Sequence, residues 1–289
     1  MKFGGMMSHS KYELLGKLPE CYIPKSILVK QNSLTEDLIN NEIKFPVIAK
    51  PNEGERGWGV ERIETALQLQ EYFANAKEDV LIQDFIDFDL ELSILYYRYP
   101  LIARGHISSI ALKGFRTVLG NGKDTLSALI RDKYPKMKVS DYPLYLIDKV
   151  NLIIPENETV QVNCIGNIAR GAHCVNYNHI IEANIIEVFD RITSFLPDFY
   201  YGRFDLKVPS VNHLRKGIDI KIMELNGTGC QPMHVFDENV SWWERYKAFY
   251  RHFKTIYRIG RINHSRGVKY SGLYEFIKDY LSHWRMKLA

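Results

Sequence analysis

The sequence predicts an α+β fold built on antiparallel strand pairs rather than a doubly wound parallel sheet. Three observations predict it. Short apolar runs follow one another, VLIQDFI then ELSILYY across a brief acidic link, and the alternating YGRFDLKV then IDIKIMEL across a chain-reversing segment. Helical spacing occurs in scattered segments, not in the regular strand–helix alternation that parallel sheets need. No internal repeat, low-complexity tract or flexible linker interrupts the pattern.

The 289 residues allow one large domain or two to three lobes, and 46% hydrophobic with 25% charged residues is a globular composition. No segment approaches the roughly 18 apolar residues of a membrane span. The start, MKFGGMMSHSKYELL, has no apolar core of a secretory signal. Cys21, Cys164, Cys174 and Cys230 show neither a CxxC pair nor zinc spacing, so a reduced, cytoplasmic chain is expected.

The elements follow in order. SHSKYELLGKL (8–18) reads as a short helix capped by Ser8 or Ser10, and LPECYIPKSILV leads into a strand. Asn32–Asn40 reads as a second helix, capped around Ser33 with acids in its first turn. FPVIAKPNEGERGWGVERI is strand, glycine loop, strand. Glu64–Lys77 is an amphipathic helix with Ala66, Leu67, Leu69, Tyr72 and Phe73 inward. After the VLIQDFI and ELSILYYRYP strands, Leu101–Asn178 is strand-rich with a helix over Thr125–Lys133, and Ile181–Leu196 is a long helix. His213 and His264 read as loop histidines.

Two alternating runs close the body. In YGRFDLKV, Phe204, Leu206 and Val208 share one face and Arg203, Asp205 and Lys207 the other; in IDIKIMELN, Glu224 and Asn226 point the same way. The link PSVNHLRKG is rich in chain-reversing residues, so the runs read as an antiparallel hairpin with Asp205, Glu224 and Asn226 close together. Three oxygen donors on adjacent strands suit a hard cation such as Mg²⁺; a solvated polar face would present the same pattern.

In the glycine loop, Lys50 ends a strand and Gly54, Gly57 and Gly59 follow, a combination that lets backbone N–H groups and an ammonium approach a polyphosphate. It is neither a Walker loop nor a Rossmann turn, and an ordinary glycine hairpin would look alike. VLIQDFI–DFDLELSIL is a strand–link–strand segment whose backbone can hold adenine, with Glu91 placed for ribose hydroxyls; Asp84, Asp87 and Asp89 read as a surface acidic loop.

Charge is unevenly spread. The net charge is +4, but residues 241–289 carry 11 Lys and Arg against 3 Asp and Glu. This aromatic tail reads as two closing helices with Trp, Tyr and Phe against the body; a nucleic-acid or membrane-surface element is the alternative.

Taken in order, the motifs SK (Ser10–Lys11), FPVIAKP with its glycine loop, LIQDFID…LELSI, GRFDLKV and IMELNGTG resemble those of ATP-grasp enzymes. Their order and spacing are similar to the catalytic part of D-alanine–D-alanine ligases. TVLGNGKDTLSALI and IGNIARGAHCVNYN resemble segments of cyanophycin synthetase-like and glutathione-ligase-like members, and the resemblance spans residues 8–240. It implies two α+β lobes whose antiparallel sheets grip ATP, with the usual front domain reduced or absent. The divisions expected are a short front remnant (1–30), a first lobe with glycine loop and hinge (31–90), a second lobe with the metal site (91–240) and basic aromatic helices (241–289).

The resemblance also implies roles. Lys11 and Lys50 match the lysines on the ATP phosphates; Gln83, Asp84, Phe85 and Ile86 match the adenine hinge, and Glu91 the ribose acid. Gly57 belongs to the phosphate loop. Arg203 matches the arginine that steadies charge during acyl transfer, and Asp205, Glu224 and Asn226 match the ligands of two Mg²⁺ ions, for which Mn²⁺ can substitute. Arg170 suits a substrate carboxylate or the triphosphate; His173 and Lys113 are further polar groups in apolar runs. The expected function is an ADP-forming carboxylate–amine ligase working through an acyl phosphate, on small amino-acid or peptide substrates. An ATP-grasp kinase and a non-catalytic nucleotide-binding module are the alternatives. No nucleic-acid partner is expected; peripheral membrane contact through the tail and a homodimer are the partner expectations.

Overall fold

Strand pairing organises the molecule. The computed structural model describes residues 2–6, 9–31, 33–54, 57–135, 137–138, 142–163 and 172–288. The first sheet has four antiparallel strands in the order β1 (Ser26–Val29), β4 (Val80–Asp84), β2 (Val47–Pro51), β3 (Glu61–Ile63). Val47, Ala49, Ile63 and Ile82 face helices α2 (Glu36–Glu42) and α3 (Ala66–Ala74), which cover the sheet with Ile39, Leu69 and Phe73. Both helices start at a threonine whose hydroxyl accepts from the third residue on, Thr35 from Leu38 and Thr65 from Gln68. The second helix of the chain therefore begins at Glu36, not near Ser33 as expected. Leu67, expected inward, is 64% exposed, because Leu69 and Phe73 set the buried stripe and Leu67 falls on the opposite side.

The second sheet has five antiparallel strands in the order β11 (Lys221–Asn226), β10 (Tyr201–Val208), β5 (Leu90–Tyr97), β6 (His106–Gly114), β9 (His173–Asn176). One face is apolar. Leu92, Ile94, Phe204 and Leu206 pack there against Ile185 and Phe189 of α6 (Ala183–Ser194) and Leu15 of α1 (Lys11–Leu15). Burial of these side chains, each worth about 1.5–3 kcal/mol, anchors the lobe. The opposite face carries the polar residues. Between β10 and β11 the expected simple reversal is a short helix, α7 (Val211–Lys216), capped by Ser210 and ended by Gly217 at φ 71°, a left-handed conformation glycine adopts without strain. His213 lies on this helix rather than in a loop.

A smaller unit pairs β7 (Thr117–Leu119) with β8 (Thr159–Gln161) and packs them on α4 (Leu126–Lys133) and α5 (Leu144–Ile147) around Val118, Leu126, Ile130 and Val162. Residues 9–30 serve both sheets: Leu14, Leu15 and Leu18 join the second core while Ser26–Val29 edges the first sheet.

The tail forms two helices, α8 (Trp242–Ser265), which includes His264, and α9 (Leu273–Leu288). In α9, Phe276 packs edge-to-face on Phe3 at 5.3 Å, but the aromatics of α8 do not close on the body as expected. Trp242, Trp243, Tyr246, Phe253 and Tyr257 are 57–68% exposed, whereas His252 and Ile259 supply the contact face of α8. Aromatic, basic and contact residues form separate stripes on α8, and only packing selects which one is buried. Among the described residues no helix is long and apolar enough to cross a membrane.

Candidate active site

The polar faces of the two sheets meet around Lys50. Strand alternation turns Lys50 away from the first core, and its Nζ donates to Gln83 Oε1 (2.9 Å) and, across to the second sheet, to the Met223 carbonyl (3.0 Å). Burial holds this ammonium down to about 8, opposed by the charge of Glu224. Gln83 is itself 2% exposed and donates to Ser26 Oγ at 3.1 Å. Its side chain orients Lys50 rather than facing an open hinge.

The glycine loop is fastened to the start of α1. Lys11 Nζ donates to the carbonyls of Gly54 (2.6 Å), Asn52 (3.4 Å) and Pro51 (3.4 Å), while Ser10 Oγ and the Asn52 amide exchange hydrogen bonds. Gly57 and Gly59 both adopt positive φ, 71° and 67°. A Cβ on Gly59 would also lie 2.8 Å from the Pro51 ring.

The hinge crosses between the sheets. Asp84 N–H donates to Lys25 O (2.9 Å) and Phe85 N–H to Pro46 O (3.4 Å); among the described residues the Ile86 N–H has no such partner. Lys207 Nζ donates to Ile86 O at 2.8 Å and lies 5.0 Å from the Phe85 ring centre, with Arg62 at 4.1 Å from the same ring. Cations against a ring gain roughly 0.5–2 kcal/mol. Neither Lys207 nor Arg62 was singled out for this place by the sequence, although the alternation of β10 put Lys207 on the Asp205 face.

The second sheet contributes a buried charge network. Asp205, 3% exposed, receives two hydrogen bonds from Arg203 (Nε–Oδ1 3.0 Å, Nη2–Oδ2 2.9 Å), another from Ser93 Oγ, and lies 3.5 Å from Lys113 Nζ. Lys113 is also 3.2 Å from Glu91, so the expected ribose acid is ion-paired. Burial disfavours each charge, but the partners outweigh it: Arg203 and Lys113 hold the Asp205 carboxyl down, and Asp205 and Glu91 raise Lys113. Burial pushes the neighbouring thiols of Cys174 and Cys230 up to about 11 and about 12. Lys113 thus stands at the centre of the network. Ser93 escaped the sequence reading, yet its place two residues after Glu91 on an alternating strand is the signal that finds it.

Glu224 and Asn226 arrive where the hairpin register puts them. Glu224 is directly opposite Asp205, Asn226 is opposite Arg203, and the Asn226 amide reaches Asp205 Oδ2 at 3.4 Å. Glu224 makes no hydrogen bond or ion pair among the described residues, leaving an unclaimed carboxylate beside a claimed one. Two carboxylates and an amide oxygen fit a hard cation. Among the described residues no three His, Cys, Asp or Glu side chains converge, so such a cation would complete its shell with water and phosphate oxygens, as Mg²⁺ does. Arg170 lies outside the described residues. His173 lies over Gly114 at the end of β6, where a Cβ would meet its ring at 2.0 Å.

Residues 9–137 match the RimK-like ATP-grasp domain. No curated protein matches the chain. Among solved structures, a D-alanine–D-alanine ligase from Bacillus anthracis is similar over 89% of this chain and 66% of its own, at 14% identity and a TM-score of 0.44. The VanG D-Ala:D-Ser ligase from Enterococcus faecalis is similar over 86% of this chain and 58% of its own (10% identity, TM-score 0.46), and a bifunctional glutathione synthetase from Pasteurella multocida over 88% and 38% (16% identity, TM-score 0.40). The chain thus spans 38–66% of the length of these three structures.

Proposed function

We propose, from the match of residues 9–137 to the RimK-like ATP-grasp domain and the geometry of the two polar sheet faces, that the chain is a Mg-ATP-dependent carboxylate–amine ligase of the ATP-grasp superfamily. One observation carries the reading. Lys50, Glu91, Lys113 and Asp205 are all buried, with Arg203 and Glu224 beside them, where two sheets present their polar faces to each other. Buried ions cost several kcal/mol each in desolvation, and an apolar interface would hold two sheets at least as well. Charges kept there serve chemistry.

The reaction consistent with this array has two steps. A substrate carboxylate oxygen attacks the γ-phosphorus of ATP, forming an O–P bond and releasing ADP as the β–γ bridge breaks. An amine then attacks the acyl carbon; the C–N bond forms, the C–O bond to phosphate breaks, and the amine proton leaves to solvent. A carboxylate does not acylate an amine at neutral pH, so phosphate serves as the leaving group. Lys50, Lys11 and the loop of Gly57 and Gly59 bind the phosphates, the Ile86 amide and Phe85 receive the base, and Glu91 takes the ribose after exchange with Lys113. Arg203 steadies charge on the acyl group. Asp205, Glu224 and Asn226 would hold Mg²⁺, or Mn²⁺ in its place, which when bound neutralises the transferring phosphoryl group. The protein supplies alignment and charge, not a covalent nucleophile.

ADP release from Mg-ATP, measured against amino acids and dipeptides singly and in pairs, tests the proposal. Release that needs both a carboxylate and an amine supports it. Release with a carboxylate alone would make the protein a phosphotransferase, and binding without release a nucleotide-binding module. The exposed aromatic stripe of α8 supports a surface role at a membrane. Co-sedimentation with vesicles tests that role, and no salt-sensitive association with anionic lipid would end it. Homodimer formation is read from sedimentation equilibrium.

A further inference from the structure

Beyond Arg203 the same sheet face runs into a cleft roofed by α8. The helix is fixed by Ile259 against Leu95, Tyr201 and Cys230, by a 2.5 Å contact between His252 Nδ1 and Tyr201 Oη, and by Arg245 donating to the carbonyls of Val240 and Asp237. Between helix and sheet lies a cavity of about 790 Å³. Its floor is aromatic: Tyr97 stacks on His106 at 5.0 Å and on Tyr201 at 6.3 Å. Its wall is cationic. Lys247, Arg251, Lys254 and Arg258 line it at helical spacings of four, three and four residues, which places them on one face of α8.

Among the described residues a single acid, Glu244, stands against the four cations of that wall. Lys247, Arg251 and Arg258 make no ion pair among the described residues, and the one acid lining the cavity, Glu244, is drawn into the capping box with Ser241. A structural role for four cations would pair them, since like charges crowded on a cleft wall repel one another. Guanidinium forks over an open cleft suit phosphate or carboxylate groups, and the aromatic floor suits a ring or an apolar stem. The volume lies in the upper part of the roughly 300–1,000 Å³ range of small-molecule sites, more than a single simple amino acid fills.

The cleft adjoins the reacting centre. Leu95 pairs with Arg203 in register, and Tyr201 stands two residues before Arg203 on β10, roughly 7 Å along the strand. We propose that this cleft binds a multiply anionic substrate, one bearing at least two phosphate or carboxylate groups, and presents its reacting end to Arg203. The proposal rests on the ligase reading of the adjoining site and names its substrate class.

The test compares the full-length protein with the double variant Arg251→Gln, Arg258→Gln, and with Arg261→Gln, on the same helix but outside the cleft. A fluorescent ATP analogue with Mg²⁺ reports the nucleotide site. Calorimetry with a non-hydrolysable ATP analogue present reports binding of pyrophosphate, triglutamate and neutral trialanine. The double variant should keep nucleotide affinity within about twofold, which also shows that it is folded, and lose at least tenfold in affinity for pyrophosphate or triglutamate. Which anion loses affinity distinguishes a phosphate-bearing from a carboxylate-bearing substrate; Arg261→Gln and trialanine should show no change and no binding. Anion affinities equal in wild type and double variant, or no anion binding beside normal nucleotide binding, would overturn the cleft. Anion binding that depends on the two arginines in a protein that binds no nucleotide would retain the cleft and overturn the ligase.

Discussion

Arg203 and Asp205 stand two residues apart on one strand and join side by side, Nε to Oδ1 at 3.0 Å and Nη2 to Oδ2 at 2.9 Å. Alternation puts both on the polar face, and the bidentate geometry fixes the guanidinium plane. Asp205→Ala would leave Arg203 and Lys113 buried with a carboxylate removed. A loss of about 3–5 kcal/mol is expected in urea unfolding at pH 7. The sign with pH follows from the depressed carboxyl. Its contribution is complete above the ordinary carboxylate value of about 3.9 and is lost as pH falls through the folded value of about 2. Wild type and variant should therefore converge in stability as the medium is acidified, and a gap that widened toward acid would refute the ion-pair account.

Glu224→Ala separates chemistry from folding. The residue faces Asp205 in register and makes no hydrogen bond or ion pair among the described residues, though its charge favours the buried Lys50 ammonium, so its removal should cost no more than about 1 kcal/mol of stability. ATP turnover should nonetheless be abolished. Circular dichroism and urea unfolding check the first half, ADP release the second; turnover surviving in a folded variant would remove Glu224 from the proposed metal site.

On the proposed reading, Lys50 makes nucleotide binding depend on pH. Burial brings its ammonium down to about 8, so its charge is present at pH 7 and lost as pH rises through 8. Nucleotide affinity should weaken from pH 7 to pH 9, with proton uptake on binding at the higher pH. Titrations in two buffers of different ionisation enthalpy read the uptake, and Lys50→Gln should flatten the profile. An unchanged profile in that variant would assign the titration to another group.

The buried thiols report on the same face of the second sheet. With Cys174 held up to about 11 and Cys230 up to about 12, neither forms much thiolate at pH 8. Iodoacetamide should modify exposed Cys21 first and reach Cys174 and Cys230 only after denaturation. Mass spectrometry of the labelled peptides decides; rapid labelling of Cys230 in the folded protein would mean that the sheet face beside Arg203 is open.

By itself the sequence determined the strands, their faces and the paired residues of the β10–β11 hairpin, because alternation and apolar runs are local properties written one residue at a time. It placed Asp205 with Glu224 and Lys50 at a strand end for that reason. It misread the stripe of α8 and the side of α3 that Leu67 occupies, since one helix offers several faces and only a neighbouring surface selects among them. It also left Lys113 at the margin. Tertiary structure alone decided that Lys113, from β6, would stand between Glu91 and Asp205, that Lys50 would reach the carbonyl of Met223, and that four cations of α8 would face a cavity beside Arg203. These juxtapositions join residues far apart in the chain, and their energies depend on burial and distance, which exist only once the sheets have packed.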